Sequence, residues 1–192
     1  LLADRELLRL AGTVEELLNE YGAGVYDWHS RCGYLRHVVL RRARATGESM
    51  VVLMTGRDEW AKEKAFVAAL RAAASDAVSV VRNINTGTPK EILGPESRVL
   101  SGRDAIIEIL GHLRFRITAA SFFQVNPVQT LQLCRLVREY AALTGRETLL
   151  DVYCGVGTFG LFLAGGAHRV VGIEAVPAAV ADAQANAALN GV

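Results

Sequence analysis

Cysteine is scarce in this 192-residue chain: Cys32, Cys134 and Cys154 lie far apart, with no C-x-x-C pair. That spacing excludes a disulfide framework. With only four histidines and no Cys/His cluster, no zinc or iron–sulfur ligand set is present, so no metal is expected. No apolar run approaches the roughly 18 residues of a membrane span, and no signal peptide opens the chain. Net charge is only +1, so nothing global announces nucleic acid and any basic footprint must be local. What remains is an ordinary globular composition, 51% hydrophobic and 21% charged, sized for one large or two small domains. Reduced thiols fit a cytoplasmic setting. The first residue is Leu1 and not a methionine, so a trimmed start is expected.

Along the chain, Thr13 with Glu16 three residues on predicts a capping box opening a helix over Thr13–Tyr21. Tyr34–Arg42 and Ser49–Thr55 are β-branched runs around a turn and predict a hairpin. Asp58–Ala74 has helical spacing, and Ala77–Asn85, Glu91–Leu93, Ala105–Leu110 and Leu113–Thr118 are short strand candidates. Residues 1–120 thus read as an α+β domain with an antiparallel sheet. The grammar changes at Ser121. Pro127–Leu143 predicts an amphipathic helix with proline in its first turn. Strand Thr148–Val152, a Gly-rich turn, helix Thr158–Ala164, strand Arg169–Ile173 and helix Pro177–Leu189 follow. That β-α-β-α order is the start of a parallel doubly wound sheet over 121–192. Two parallel strands cannot cover both their faces, so the chain is expected to be part of a longer protein.

The turn reads DVYCGVGTFG, Asp151 to Gly160. A strand, then G-x-G, then a helix brings backbone amides to the carboxyl edge of a sheet, where open α/β folds bind ligands. Glu174 ends the next strand 19 residues after Gly155, where an acid can accept from both ribose hydroxyls of an adenosine. NAD, FAD and S-adenosylmethionine all satisfy this pattern. The acid four positions before the first glycine fits a cofactor carrying an amino acid and no pyrophosphate.

Together, SFFQVNPVQT (Ser121 to Thr130), DVYCGVGTFGL, VVGIEAVPAAVADAQANAALNGV and the upstream GYLRHVVLRRARATGESMVVLMT and NINTGTPKEILGP resemble the RNA uracil-C5 methyltransferases, most closely those of bacterial 23S rRNA. The likeness runs from about Glu15 to the end. It implies an α+β central domain over 1–120. Over 121–192 it implies the first β-α-β-α part, truncated, of a Rossmann-like S-adenosylmethionine-binding methyltransferase domain. Gln124 corresponds to a cofactor-contacting glutamine, Tyr153 to the aromatic beside the cofactor and Glu174 to the ribose-binding acid. Gly155 and Gly157 form the turn, and Thr158 stands where some members carry a cofactor-touching asparagine. The family's nucleophilic cysteine and base are expected beyond Val192, so no catalytic residue is assigned within the chain. RNA is the expected partner, of a monomer away from membranes. Three alternatives stay open: a tRNA uridine-C5 methyltransferase, an NAD-dependent oxidoreductase, and a non-catalytic RNA- or cofactor-binding module.

Cys154 reads as a bystander in the turn and Cys134 as packing. Asp151 reads as an anchor of the turn's own backbone. By composition alone, Gln124 could equally cap the helix that follows. Arg31, Arg36, His37, Arg41, Arg42 and Arg44 form the one dense basic stretch, and Arg36, Arg41 and Arg42 are the candidate phosphate contacts.

Overall fold

The computed structural model describes residues 5–87 and 92–192. The chain divides into two compact units, Leu1–Ala43 with Gly47–Ile106, and Arg44–Thr46 with Ile107–Val192. The expected boundary at 120/121 falls inside the second unit.

In the first unit, α1 spans Arg5–Tyr21, β1 Leu35–Arg42, β2 Ser49–Thr55, α2 Glu63–Ala73, β3 Ala77–Ile84 and β4 Glu96–Gly102. Helix α1 begins well before Thr13, because Leu10, Val14 and Leu18 form one continuous buried stripe at i, i+4 and i+8. Thr13 is therefore no cap; its hydroxyl bonds back to the Arg9 carbonyl at 3.2 Å. Helix α2 starts at Glu63 and not at Asp58. Its Phe66 and Leu70 are fully buried with Val51, Leu53 and Val80, and each such side chain contributes about 1.5–3 kcal/mol.

The sheet order is β1-β2-β3-β4. The antiparallel expectation holds for β1–β2 and β3–β4 and fails in the centre, where β2 and β3 pair in parallel. The reason is α2: a strand, a crossover helix and a neighbouring strand return the chain in the same direction. Strand β2 is buried at every position, which explains its unbroken apolar run. The expected strand at Glu91–Leu93 is not found: Glu91 lies outside the described residues, and Ile92 and Leu93 form a bend.

In the second unit, β5 (Ala105–Leu110) and β6 (Leu113–Thr118) form one two-stranded sheet. After them come α3 (Pro127–Ala141), β7 (Thr148–Val152), α4 (Thr158–Leu163), β8 (Arg169–Ile173) and α5 (Pro177–Asn190). Strands β7 and β8 pair in parallel, from Thr148 with Arg169 to Val152 with Ile173.

Helix α5 carries a polar spine at Asp182, Asn186 and Asn190, spaced four residues apart on one helical face. The Asn190 amide bonds the Arg114 backbone in both directions, at 2.9 and 2.7 Å. Asn186 accepts from the Arg116 amide at 2.7 Å and donates to the Val156 carbonyl at 3.1 Å. Side-chain amides thus occupy the place of a neighbouring strand along β6, satisfying backbone groups that would otherwise be orphaned.

Candidate cofactor-binding site

The Gly-rich turn follows the end of β7. Tyr153 sits at φ 64° and is 86% exposed, a left-handed backbone that is unusual for a bulky residue. The Cys154 amide donates to the Ile173 carbonyl at 3.0 Å, tying the turn to the end of β8. Gly157, at φ 86°, is the N-cap of α4, and Thr158 opens that helix as a buried residue. A Cβ on Gly157 would stand 3.1 Å from Leu161 Cδ1, so both backbone and space call for glycine there.

Glu174 closes the site from β8. Its Oε2 accepts from the Gly155 amide at 3.0 Å, and its Oε1 accepts from the amides of Ala175 and Val176 at 2.8 and 2.9 Å. These donors, the Val176 amide first, hold its carboxyl below the usual carboxylate range, so it stays an anion at neutral pH. The geometry therefore places an ionised acceptor against the first glycine of the turn. Asp151 has a different task. Its Oδ2 accepts from the Gly160 amide at 2.8 Å, inside the fold, and burial raises its pKa. It anchors the start of α4.

Gln124 is exposed in the segment that leads into α3. The cap of that helix is Asn126, whose side chain accepts from the Gln129 amide at 3.2 Å, so the capping reading of Gln124 falls away. The segment is fixed at its root. Ser121 donates to the buried Asp182 carboxylate at 2.5 Å, Thr118 donates to the same oxygen at 3.0 Å, and Phe123 stacks on Phe115 with ring centroids 5.4 Å apart. Helix α5 consequently holds both parts of the site, the Gln124 segment through Asp182 and the turn through Asn186. The only sequence signal for Asp182 and Asn186 is their four-residue spacing on an otherwise alanine-rich helix.

A cavity of about 330 Å³ lies between β7–β8 and helices α4 and α5, lined by Asp151, Cys154, Gly160, Leu161 and Val180 among others. Of the expected cofactor residues only Gly157 borders it. Its walls belong to the layer beneath the turn, so the candidate site is the outer side of the turn and not this cavity. Cys154 faces the inner layer: a Cβ on Gly172 would meet its sulfur at 2.9 Å. Burial, then the charges of Asp151 and Glu174, push its thiol up, the opposite of nucleophile activation.

The basic candidates on β1 have partners of their own. Arg36 donates to the carbonyls of Asn85 and Gly87 and lies over the rings of Trp28 and Tyr26, 4.2 and 5.1 Å from their centroids. Arg42 donates to Asp76 at 3.0 Å and to the Gly47 carbonyl at 2.8 Å. Arg41 is half-buried between them in sequence.

Comparison with known proteins adds a family. Residues 58–192 match the family model described as tRNA (Uracil-5-)-methyltransferase. An uncharacterized RNA methyltransferase of Halalkalibacterium halodurans is 44% identical over 93% of this chain and 39% of its own length. One from Enterococcus faecalis is 40% identical over 100% of this chain and 42% of its own length. The chain thus spans well under half of the curated relatives it matches. Among solved structures, the Pyrococcus abyssi tRNA (uracil-54, C5)-methyltransferase in complex with S-adenosyl-L-homocysteine superposes with a TM-score of 0.77. It is 29% identical, covering 96% of this chain and 44% of that one.

Proposed function

Because the chain belongs to the tRNA (uracil-5-)-methyltransferase family, we propose that the intact protein transfers a methyl group from S-adenosylmethionine to C5 of a uridine in RNA. The observation that carries this reading is the ionised Glu174 bonded to the Gly155 amide at 3.0 Å, at the mouth of a G-x-G turn. Residues 121–192 are read as the first β-α-β-α part of the methyl-donor domain, with Gln124, Tyr153, Gly155, Gly157, Thr158 and Glu174 as the cofactor-holding set.

S-Adenosylmethionine supplies an electrophilic methyl on a sulfonium, which leaves as the neutral thioether of S-adenosylhomocysteine. Glu174 would accept from the ribose hydroxyls as a charged partner, the stronger kind of hydrogen bond. Tyr153 and Gln124, both exposed, would hold the rest of the cofactor. Gly155 leaves room, since nothing lies within 4 Å of where its Cβ would stand. Uracil C5 becomes nucleophilic only after a thiolate adds to C6; C5 then takes the methyl, a base removes its proton and the thiolate is eliminated. Neither thiol of the second unit suits that role. Burial pushes Cys134 up to about 11, and Cys154 is raised as well. The nucleophile and base are assigned to segments beyond Val192. The target base must leave its stack to reach them.

For the substrate we propose 23S rRNA, on the resemblance of the chain as a whole to that group of RNA uracil-C5 methyltransferases. The competing substrate is tRNA. Incubating the intact protein with methyl-labelled S-adenosylmethionine and each RNA, then digesting to nucleosides, tests both. Label in 5-methyluridine from 23S rRNA supports the reading; label from tRNA alone overturns the substrate; label in neither overturns the function. Glu174→Ala should weaken S-adenosylhomocysteine binding by about 10- to 100-fold, the worth of one or two charged hydrogen bonds. Unchanged affinity would remove Glu174 from the site.

A further inference from the structure

We infer that the tip Trp28–Arg31, in the first unit, is a stacking platform for an unpaired RNA base. The proposal rests on the RNA reading above and adds a surface that this reading does not contain. The tip is a four-residue turn closed by the bridge between Asp27 and Cys32, whose Asp27 amide donates to the Cys32 carbonyl at 2.8 Å. It carries Trp28, His29, Ser30 and Arg31 in succession.

Trp28 keeps 38% of its surface exposed although it is held from within. The Arg36 guanidinium lies 4.2 Å from its ring centroid, and Tyr26 meets it edge-on at 5.1 Å and 80°. Arg36 is itself fixed by the carbonyls of Asn85 and Gly87. Tyr26 in turn is backed by the chain, for a Cβ on Gly56 would stand 3.0 Å from its ring. Gly33, at φ 111°, brings the backbone so close that a Cβ would strike the Val25 carbonyl oxygen at 2.4 Å. The indole is thus an exposed aromatic that has lost its freedom before any ligand arrives, so that little ordering is left for binding to cost. Backbone strain concentrates at the same place: Arg31, no glycine, sits at φ 58°.

The side chains around the tip bear on its partner. The acids near the tip are exposed but each already has a bonding partner. Asp27 accepts from the His29 amide and the Ser30 hydroxyl, both at 2.9 Å, and stands 3.5 Å from the His29 imidazole. Asp58 accepts from the Gly33 amide at 2.6 Å, and Glu59 pairs with buried Arg82 at 3.1 Å. The cationic side chains Arg31 and Arg57 are exposed, and the His29 side chain is fully so. An exposed aromatic already braced from within, with the exposed Arg31 in the same four-residue turn, fits a nucleobase and its neighbouring phosphate. Unpaired RNA is recognised in this way, by stacking on aromatic side chains beside basic contacts.

The test uses the intact protein and a single-stranded RNA oligomer, with duplex RNA as the control. Trp28→Ala should weaken single-strand binding by about 5- to 100-fold, the worth of one stacked base. Trp28→Phe should recover most of that loss and keep the wild-type unfolding midpoint, and neither variant should change S-adenosylhomocysteine affinity. The factor lost on Trp28→Ala should persist at high salt, whereas the loss on Arg31→Ala or Arg57→Ala should shrink. Equal affinity of Trp28→Ala and wild type overturns the platform. A loss that Trp28→Phe does not restore, accompanied by a lower unfolding midpoint, marks a structural role and overturns it too. If the wild type binds no RNA while still binding S-adenosylhomocysteine, the RNA reading itself fails, which is a different result from a Trp28 variant that binds normally.

Discussion

Replacing Asn186 with alanine perturbs the junction on which the candidate site depends. The side chain is fully buried. Its removal strips the Arg116 amide of its acceptor at 2.7 Å and the Val156 carbonyl of its donor at 3.1 Å. A buried polar group left without a partner costs about 1–3 kcal/mol, so the two together cost about 2–6 kcal/mol. Asn190→Ala is the internal control: it makes the same bidentate pair with Arg114, but where water can replace it, and should cost about 0.5–1 kcal/mol. Urea unfolding of the intact protein measures both. Asn186→Asp sharpens the test, because it keeps the acceptor for Arg116 while facing the Val156 carbonyl with an oxygen and adding a buried charge one turn from Asp182. It should be at least as destabilising as alanine. Equal costs for Asn186→Ala and Asn190→Ala, or an aspartate variant milder than the alanine one, would refute the reasoning.

The two turn glycines should fail differently. Gly157→Ala meets Leu161 at 3.1 Å as well as a left-handed backbone, so it should lose about 1–2 kcal/mol or more in urea unfolding. Gly155→Ala shares the left-handed backbone, at φ 56°, but finds open space within 4 Å, so it should lose less stability than Gly157→Ala but more S-adenosylhomocysteine affinity, read by calorimetry; the reverse ranking would place the cofactor elsewhere. Cys134 predicts an alkaline slope. Burial raises its folded pKa to about 11, above the unfolded thiol near 8.5. Between those values the unfolded chain has released a proton that the native one keeps, so stability should fall as pH rises through that window. Cys134→Ala should be less stable overall but flatter over the same range, and an unchanged slope would assign it to another group.

The second unit was the more legible part of the fold because its signals are local. Pro127 and Pro177 open α3 and α5, and Gly191 stops α5 in a left-handed conformation. Strands β7 and β8 match their expected spans residue for residue. In the first unit, local cues misled where a longer pattern overruled them. The Thr13–Glu16 capping box lies inside α1 because the Leu10–Val14–Leu18 stripe runs through it. Strand β4 is not legible in the sequence because ESRVLSG is mostly exposed and lacks apolar alternation.

The sequence by itself determined where the turn stands and which acid follows it at the end of the next strand. Only the tertiary structure decided which amides the two carboxylates meet, Gly160 for Asp151 and Gly155 for Glu174. It also decided that β2 and β3 run parallel, that Arg36 braces Trp28, and that α5 ties the Ser121 and Val156 segments together. The physical reason is common to all of these. Helix periodicity and turn chemistry are set by neighbours in the chain, whereas hydrogen-bond partners 19 to 61 residues apart are chosen only when folding closes the loops between them.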